Sequence, residues 1–480
     1  MEQLVATLTH YPTAQNLSDV ELDQQCKELL SGCLNNVPVH HLTGAVGDRD
    51  ILSLLDPGIN TLAYLFVLCA KLDLGGVAAL QTDWRNVAGF LTSYDPRQIK
   101  YGLKEFRRTV ERFVQFMEGN HKPIVAVKAL KKAILRSSNP STFSFMHLLF
   151  ARACLKANCF RDALAVLDID VFDFPLSKNY MEGSQDIRGS EVSYQDVLSY
   201  FLYGAMLYHG VKNWERAFDL IQTAVIAPGS GLSKIQVEAY KKYVLTGLLL
   251  NGKVPPTLKS LSPNAVRIYR TIARAYETFG SAFMTRDAEL FSKEAALTAD
   301  TFAQDGNSGL AQQCMEAFRH QQIIALKDTY VTLGVDEIAQ KKFDVSGRGG
   351  DAGSKEETER VILGMIERGQ IKATLSHSSP DPAASKTTVS FAGDATADAV
   401  DGLALEEQIM RIVSLSIQVK SMDRKMGISN EYLQFLTRAS KGNGGFPSLM
   451  QMDPEILDEY GGGWGDDDDM DEMQDNDEPW

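Results

Sequence analysis

Apolar residues recur at helical spacing over most of the chain. Phe106, Val110, Phe113, Val114 and Met117 form one stripe, and their steps of one, three and four place them on one side of a helix. The run Gly119-Asn120-His121-Lys122-Pro123 ends that helix. Across residues 1–135 the pattern predicts helices separated by polar breaks at 35–47, 56–58 and 94–96. Further helices are expected over 234–250, 265–279, 288–301 and 310–328, with Pro255, Pro256 and Pro263 marking turns.

One stretch of the pattern repeats. Leu149, Ala151, Ala153, Cys154, Phe160, Ala163, Leu164, Val166 and Leu167 recur 54 positions later as Tyr203, Ala205, Leu207, Tyr208, Trp214, Ala217, Phe218, Leu220 and Ile221. Each copy reads as a helix, a short turn and a second helix opening near an aromatic residue. A small alanine near the start of the second helix lets the two pack closely. This is the logic of a tetratricopeptide-like solenoid, in which each hairpin buries its apolar face against the next. The long period comes from an insertion at 168–191, rich in Asp, Gly and Ser.

The period changes after residue 327. Residues 329–333 are a short β-rich run. Residues 335–343 are helical, with Ile338, Ala339 and Phe343 at matching spacing. Ser354 and Glu357 read as a capping box that opens a second helix with the stripe Val361, Ile362, Met365 and Ile366, and Gly369 stops it. Two more β-rich runs follow, 370–375 and 386–391. Strand, helix, helix, strand, strand is the order of a winged helix. Its sheet is expected to offer an edge to a neighbouring chain through Thr329, Val331 and Leu333, or through Thr387, Val389 and Phe391, because an unpaired strand presents free N–H and C=O groups. Beyond a flexible linker at 393–402, residues 403–426 carry Leu405, Ile409, Ile412, Leu415, Val419, Met422 and Met426 in steps of four and three. That near-heptad seam is expected to bury itself in partner helices. From 441 onward Gly and Asp dominate, the composition of a disordered tail.

The expected fold is therefore mostly α. A helical-repeat solenoid (an N-terminal helical region 1–135, then repeats 136–326) precedes a winged helix at 327–395, an assembly helix at 403–436 and an acidic tail at 441–480. At 480 residues the chain has room for two to four domains, and 44% hydrophobic content is ordinary for a globular protein. The longest apolar run, 62–70, is too short for a membrane span. Residues 1–20 hold Glu2 and Asp19 and no Lys or Arg, so no secretory signal is expected and the six cysteines, none in C-x-x-C spacing, read as free thiols. Nine of the acidic residues lie in 466–478, so the rest of the chain carries only about −5 of the net charge of −14.

Catalytic chemistry finds little footing. No H-E-x-x-H pair offers metal ligands, and the adjacent His40 and His41 point apart on most backbones. His147, His209 and His320 fall on helices, where packing or surface roles are the ordinary reading. The glycine-rich run 347–355 opens a helix, but Gly353-Ser354-Lys355 breaks the phosphate-loop order, and Gly347, Gly349 and Ala352 lack the preceding strand that a dinucleotide fingerprint needs. A winged helix can also read nucleic acid. Here the second helix sets Glu356, Glu357, Glu359 and Glu367 against Lys355, Arg360 and Arg368, a face that repels a duplex. No catalytic residue, metal or cofactor is expected.

The helical repeats followed by this winged helix resemble the PCI family, whose members are scaffold subunits of the proteasome lid, the signalosome and translation initiation factor three. Trp214-Glu-Arg-Ala217-Phe218, residues 224–228, Glu238-Ala-Tyr-Lys-Lys-Tyr243, residues 248–254, Asp305-Gly-Asn-Ser-Gly-Leu310 and residues 323–333 are similar to the signalosome branch, and 239–254 favours it over the corresponding lid subunits. The resemblance covers roughly 140–395. It implies a non-catalytic scaffold in a complex that removes a ubiquitin-like modifier from cullin-RING ligases. It further implies other PCI subunits, the metalloprotease subunit and cullin-RING ligases as partners, winged helices joined side by side, a bundle of C-terminal helices, and residence in cytoplasm and nucleus. Neither nucleic acid nor membrane is an expected partner.

Overall fold

The computed structural model describes residues 2–12, 18–34, 37–46, 49–137, 141–171, 174, 192–228, 231–327, 329–340, 355–377, 387–391, 401–428 and 432. Helices α1 (Glu2–His10) and α2 (Asp19–Leu29) lead through a π-type turn at Leu30–Leu34 and α3 (Val39–Leu42) to a small hairpin, β1 (Ala45–Val46) and β2 (Arg49–Asp50). Then follow α4 (Ile51–Leu54), α5 (Thr61–Ser93), α6 (Pro96–Ile99), α7 (Leu103–Gly119) and α8 (Pro123–Arg136). The stripe Phe106, Val110, Phe113, Val114 and Met117 is buried along α7. The apolar run 62–70 lies within α5, where Leu62, Leu65, Val67 and Leu68 are core residues. α5 is kinked at Gly76, whose φ of 52° only glycine adopts cheaply.

The repeated pattern becomes two hairpins, α9 (Phe145–Ala157) with α10 (Phe160–Leu167), and α11 (Tyr194–Val211) with α12 (Trp214–Ile226). The first helix of each ends on a left-handed residue, Asn158 at φ 53° and Lys212 at φ 65°. These two caps hold equivalent positions in the repeat, so both hairpins turn in the same way. Ala163 and Ala217, the small residues that open the second helices, have no exposed surface. Gly210 on α11 lets Phe160 lie against the backbone: a Cβ there would sit 2.4 Å from the Phe160 ring.

α13 (Lys234–Asn251), α14 (Pro263–Ile272), α15 (Arg274–Met284), α16 (Ala288–Gln304) and α17 (Ser308–Lys327) continue the array. The single helix expected over 265–279 is two helices, because the chain turns at Ala273 (φ −95°, ψ 26°). The turn keeps both Tyr269 and Tyr276 fully buried. One hydrophobic core runs from Leu8 to Tyr269 and passes residue 135 without interruption. A second, rich in phenylalanine, joins α13 to α15, α16 and α17. There Phe291 stacks on Phe318 with centroids 4.5 Å apart.

A third core begins at Ile323 near the end of α17 and serves a small α/β unit. Its elements are β3 (Thr332–Gly334), α18 (Val335–Gln340), α19 (Lys355–Glu367), β4 (Ala373–His377) and β5 (Thr387–Phe391). The order strand, helix, helix, strand, strand is as read from the sequence. α19 ends as expected at Gly369: its φ is 71°, its N–H bonds Ile366 O, and Gln370 N–H reaches back to Met365 O. Ser354, Phe343 and the glycine-rich run up to residue 354 lie outside the described residues, as does the acidic tail. Among the described residues no helix is long and apolar enough to cross a membrane. α20 (Asp401–Ile428), whose bounds enclose the expected 403–426, belongs to a separate unit, 392–480.

Candidate assembly surfaces

The sheet is antiparallel with strand order β3-β5-β4. β5 is therefore the central strand, and the reading of 386–391 as an exposed edge is corrected. Val389 pairs with Leu333 on one side and Leu375 on the other, so both edges of β5 are already hydrogen-bonded. Thr387, Val389 and Phe391 are buried. Leu333 is buried with them among Ile338, Ile362, Met365 and Ile371. Thr329 is not in a strand; its N–H bonds Leu326 O in the turn that leaves α17. Val331 is 77% exposed, while its carbonyl accepts from Phe391 N–H at 2.8 Å and so extends the β3–β5 ladder by one bond. The edges of the sheet are the outer sides of β3 and β4. Beside β3 the exposed Tyr330 and Val331 add apolar surface, whereas β4 presents Thr374, Ser376 and His377.

On α20 the seven seam residues are all exposed, Leu405 by 57%, Ile412 by 65% and Leu415 by 40%. A second stripe escaped the sequence reading. Met410, Val413 and Ile417 are 68%, 49% and 64% exposed and follow each other in steps of three and four. The spacing was visible in the sequence, but a seam model assigns one face only. A helix with two apolar stripes suits a bundle with neighbours on more than one side.

Inside the array, two segments that carried the family resemblance meet. Lys242 Nζ reaches Glu238 and bonds Asn307 Oδ1 at 2.8 Å. Asn307 Nδ2 donates to Tyr276 Oη at 2.8 Å and to Glu238 Oε1 at 3.1 Å. Tyr276 Oη donates to Asp305 Oδ2, whose other oxygen pairs with Lys241 at 2.6 Å. The network ties α13 to α15 and to the turn before α17, with Lys242 only 6% exposed. Next to it His209 Nε2 and Thr246 Oγ1 are 2.9 Å apart, and Thr246 Oγ1 bonds Lys242 O. Burial first, then the Lys242 charge, pulls the His209 pKa down to about 4. Burial does the same to His320, helped by Arg368 and Arg319. His147 caps α9, its Nδ1 accepting from Ser144 N–H at 3.1 Å. Sequence reasoning missed this network, whose sign is an adjacent lysine pair three and four residues after Glu238 in one helix.

Burial also raises the thiols of Cys26 and Cys154, to about 11 and about 12, and pushes Cys314 up further, which suppresses the reactive thiolate. Among the described residues no cluster of three His, Cys, Asp or Glu is placed to hold a metal ion. The rings of His40 and His41 are tilted by 43° on exposed positions.

A family model described as COP9 signalosome complex subunit 3, N-terminal helical repeats, matches residues 24–266, and the PCI domain model matches 294–379. The chain belongs to the COP9 signalosome complex subunit 3 family. It is similar to the COP9 signalosome complex subunit 3 of Emericella nidulans, 28% identical over 409 residues that span 79% of this chain and 81% of the relative. It is also similar to the protein of that name from Dictyostelium discoideum, 27% identical over 391 residues, 81% of this chain and 87% of the relative. The helical-repeat match of this family ends on α14, and the PCI match opens within α16 and closes just past β4.

Proposed function

We propose that the chain is a non-catalytic scaffold subunit of the signalosome and that it contributes to removal of the ubiquitin-like modifier from cullin-RING ligases by holding other subunits in place. The observation that carries this reading is α20, with ten apolar side chains at least 40% exposed on a helix of 28 residues. Burying seven such side chains in a bundle contributes on the order of 10 kcal/mol before the ordering cost of association. The outer edge of β3, with Tyr330 and Val331 beside it, is a second contact, through strand pairing with a neighbouring PCI subunit. The partners on this reading are other PCI subunits, the metalloprotease subunit and cullin-RING ligases, in cytoplasm and nucleus.

The test is affinity purification of the tagged full chain beside one truncated at Gly402, followed by mass spectrometry. The expected result is that the full chain recovers PCI subunits and the metalloprotease subunit, and that truncation loses them. Recovery by both forms would move the main contact to the β3 edge. Recovery of proteasome lid particles, or of nucleic acid by a monomer, would overturn the reading.

A further inference from the structure

A patch of unopposed positive charge lies where the repeats give way to the PCI unit. From Ala239 to Tyr276 the chain holds seven Lys and Arg and not one Asp or Glu, although its net charge is −14. Lys241 and Lys242 turn inward to Glu238, Asp305 and Asn307. The acids nearest in sequence are thereby occupied, and Glu277 Oε1 accepts from Tyr240 Oη at 2.6 Å. The other five cations, Lys253, Lys259, Arg267, Arg270 and Arg274, are exposed. None of them has an ion-pair partner among the described residues.

We propose that the outer face of α14 and the first turn of α15 is a docking surface for a carboxylate-rich segment of another protein chain, gripped by Arg267, Arg270 and Arg274. α14 buries Tyr269, which stacks on Tyr240 at 4.5 Å, with Ala265, Val266 and Ile268 half-buried, while Arg267, Arg270 and Thr271 are exposed. The three arginines line one shallow depression with Pro263, Val266 and Thr271. Arg267 and Arg270 lie three residues apart on α14, and Arg274 opens α15 just past the bend at Ala273. Arg270 is steadied by a 2.9 Å bond from Nη2 to Thr257 Oγ1. Guanidinium forks take carboxylates two hydrogen bonds at a time, and an extended peptide presents acids at alternate positions along one side.

A duplex fits less well. Stable phosphate-driven binding draws on roughly six to ten contacts along the backbone, and this patch offers three arginines on one short face. Val266 and Pro263, which line the depression with the arginines, give an apolar side chain of a peptide somewhere to rest.

Fluorescence anisotropy tests this, with a labelled oligo-glutamate peptide and, separately, a labelled DNA duplex titrated with the full chain. The triple charge reversal R267E/R270E/R274E should weaken peptide binding at least about tenfold, and R267K/R270K/R274K should weaken it a few-fold by keeping charge and losing the fork. Circular dichroism confirms that each variant is folded; should the reversal unfold the chain, the lysine variant carries the test. Unchanged peptide affinity in the folded variants overturns the proposal, and so does a duplex that binds more tightly than the peptide. Carbodiimide coupling then reports which carboxylates reach Lys253 and Lys259. Coupling to the added peptide supports the proposal, and coupling to residues 466–478 of the same chain overturns the assignment to another chain.

Discussion

Lys242 Nζ lies 2.8 Å from Asn307 Oδ1 across 65 residues of sequence, and both residues are buried. The pair ties α13 to the turn that precedes α17. Asn307→Ala leaves a buried ammonium with one partner fewer and two neighbours short of a donor. The expected loss is about 2–4 kcal/mol in denaturant unfolding. Lys242→Met combined with Asn307→Leu should cost clearly less than the sum of the single changes. Additive losses would mean that the two residues act independently.

His209 supplies a pH dependence with a definite sign. Its neutral ring belongs to the folded state, with a pKa of about 4 against an ordinary 6.5. The unfolded chain therefore binds the proton first as pH falls. Stability from this group is complete above pH 6.5 and declines between pH 6.5 and 4, by a total of about 3 kcal/mol. His209→Gln should make the decline over that range shallower, leaving the part that His320 contributes and the carboxylate-driven losses at lower pH. An unchanged profile would show that the ring is not the titrating group.

Gly210 and Phe160 set how closely the two repeat hairpins pack. Gly210→Ala places a methyl group within 2.4 Å of the ring, at an expected cost of about 1–3 kcal/mol in thermal or denaturant unfolding. In a Phe160→Leu background the same change should cost at most half as much. Equal costs in both backgrounds would remove the ring as the obstacle.

Ile409, Leu415 and Val419 are exposed, so changing all three to Asp should leave the melting temperature of the isolated chain within about 2 °C. The same variant should lose most of its recovered partner subunits in affinity purification. Full recovery would show that the seam of α20 is not a contact.

Local periodicity carried much of this architecture. The stripe on α7 and the Ala163/Ala217 repeat were legible because helix faces are fixed by spacing within a few residues. Strand order was not. Sequence identifies 386–391 as a strand, but whether Val389 has one neighbour or two depends on Leu333, more than fifty residues away. The same distance hid the pairing of Lys242 with Asn307. The turn at Ala273 was hidden by an apolar pattern that continues across it, since only packing of Tyr269 and Tyr276 calls for the bend. The seam of α20 was plain, while its second stripe was masked by treating the helix as one-sided.

The central place of β5 bears on the order in which the subunit matures. β3 and β4 share no ladder with each other, so the three-stranded sheet cannot form until residues 387–391 have left the ribosome. By then the repeat array is already synthesised and free to fold. A chain that ends before residue 387 therefore displays repeats without the three-stranded sheet.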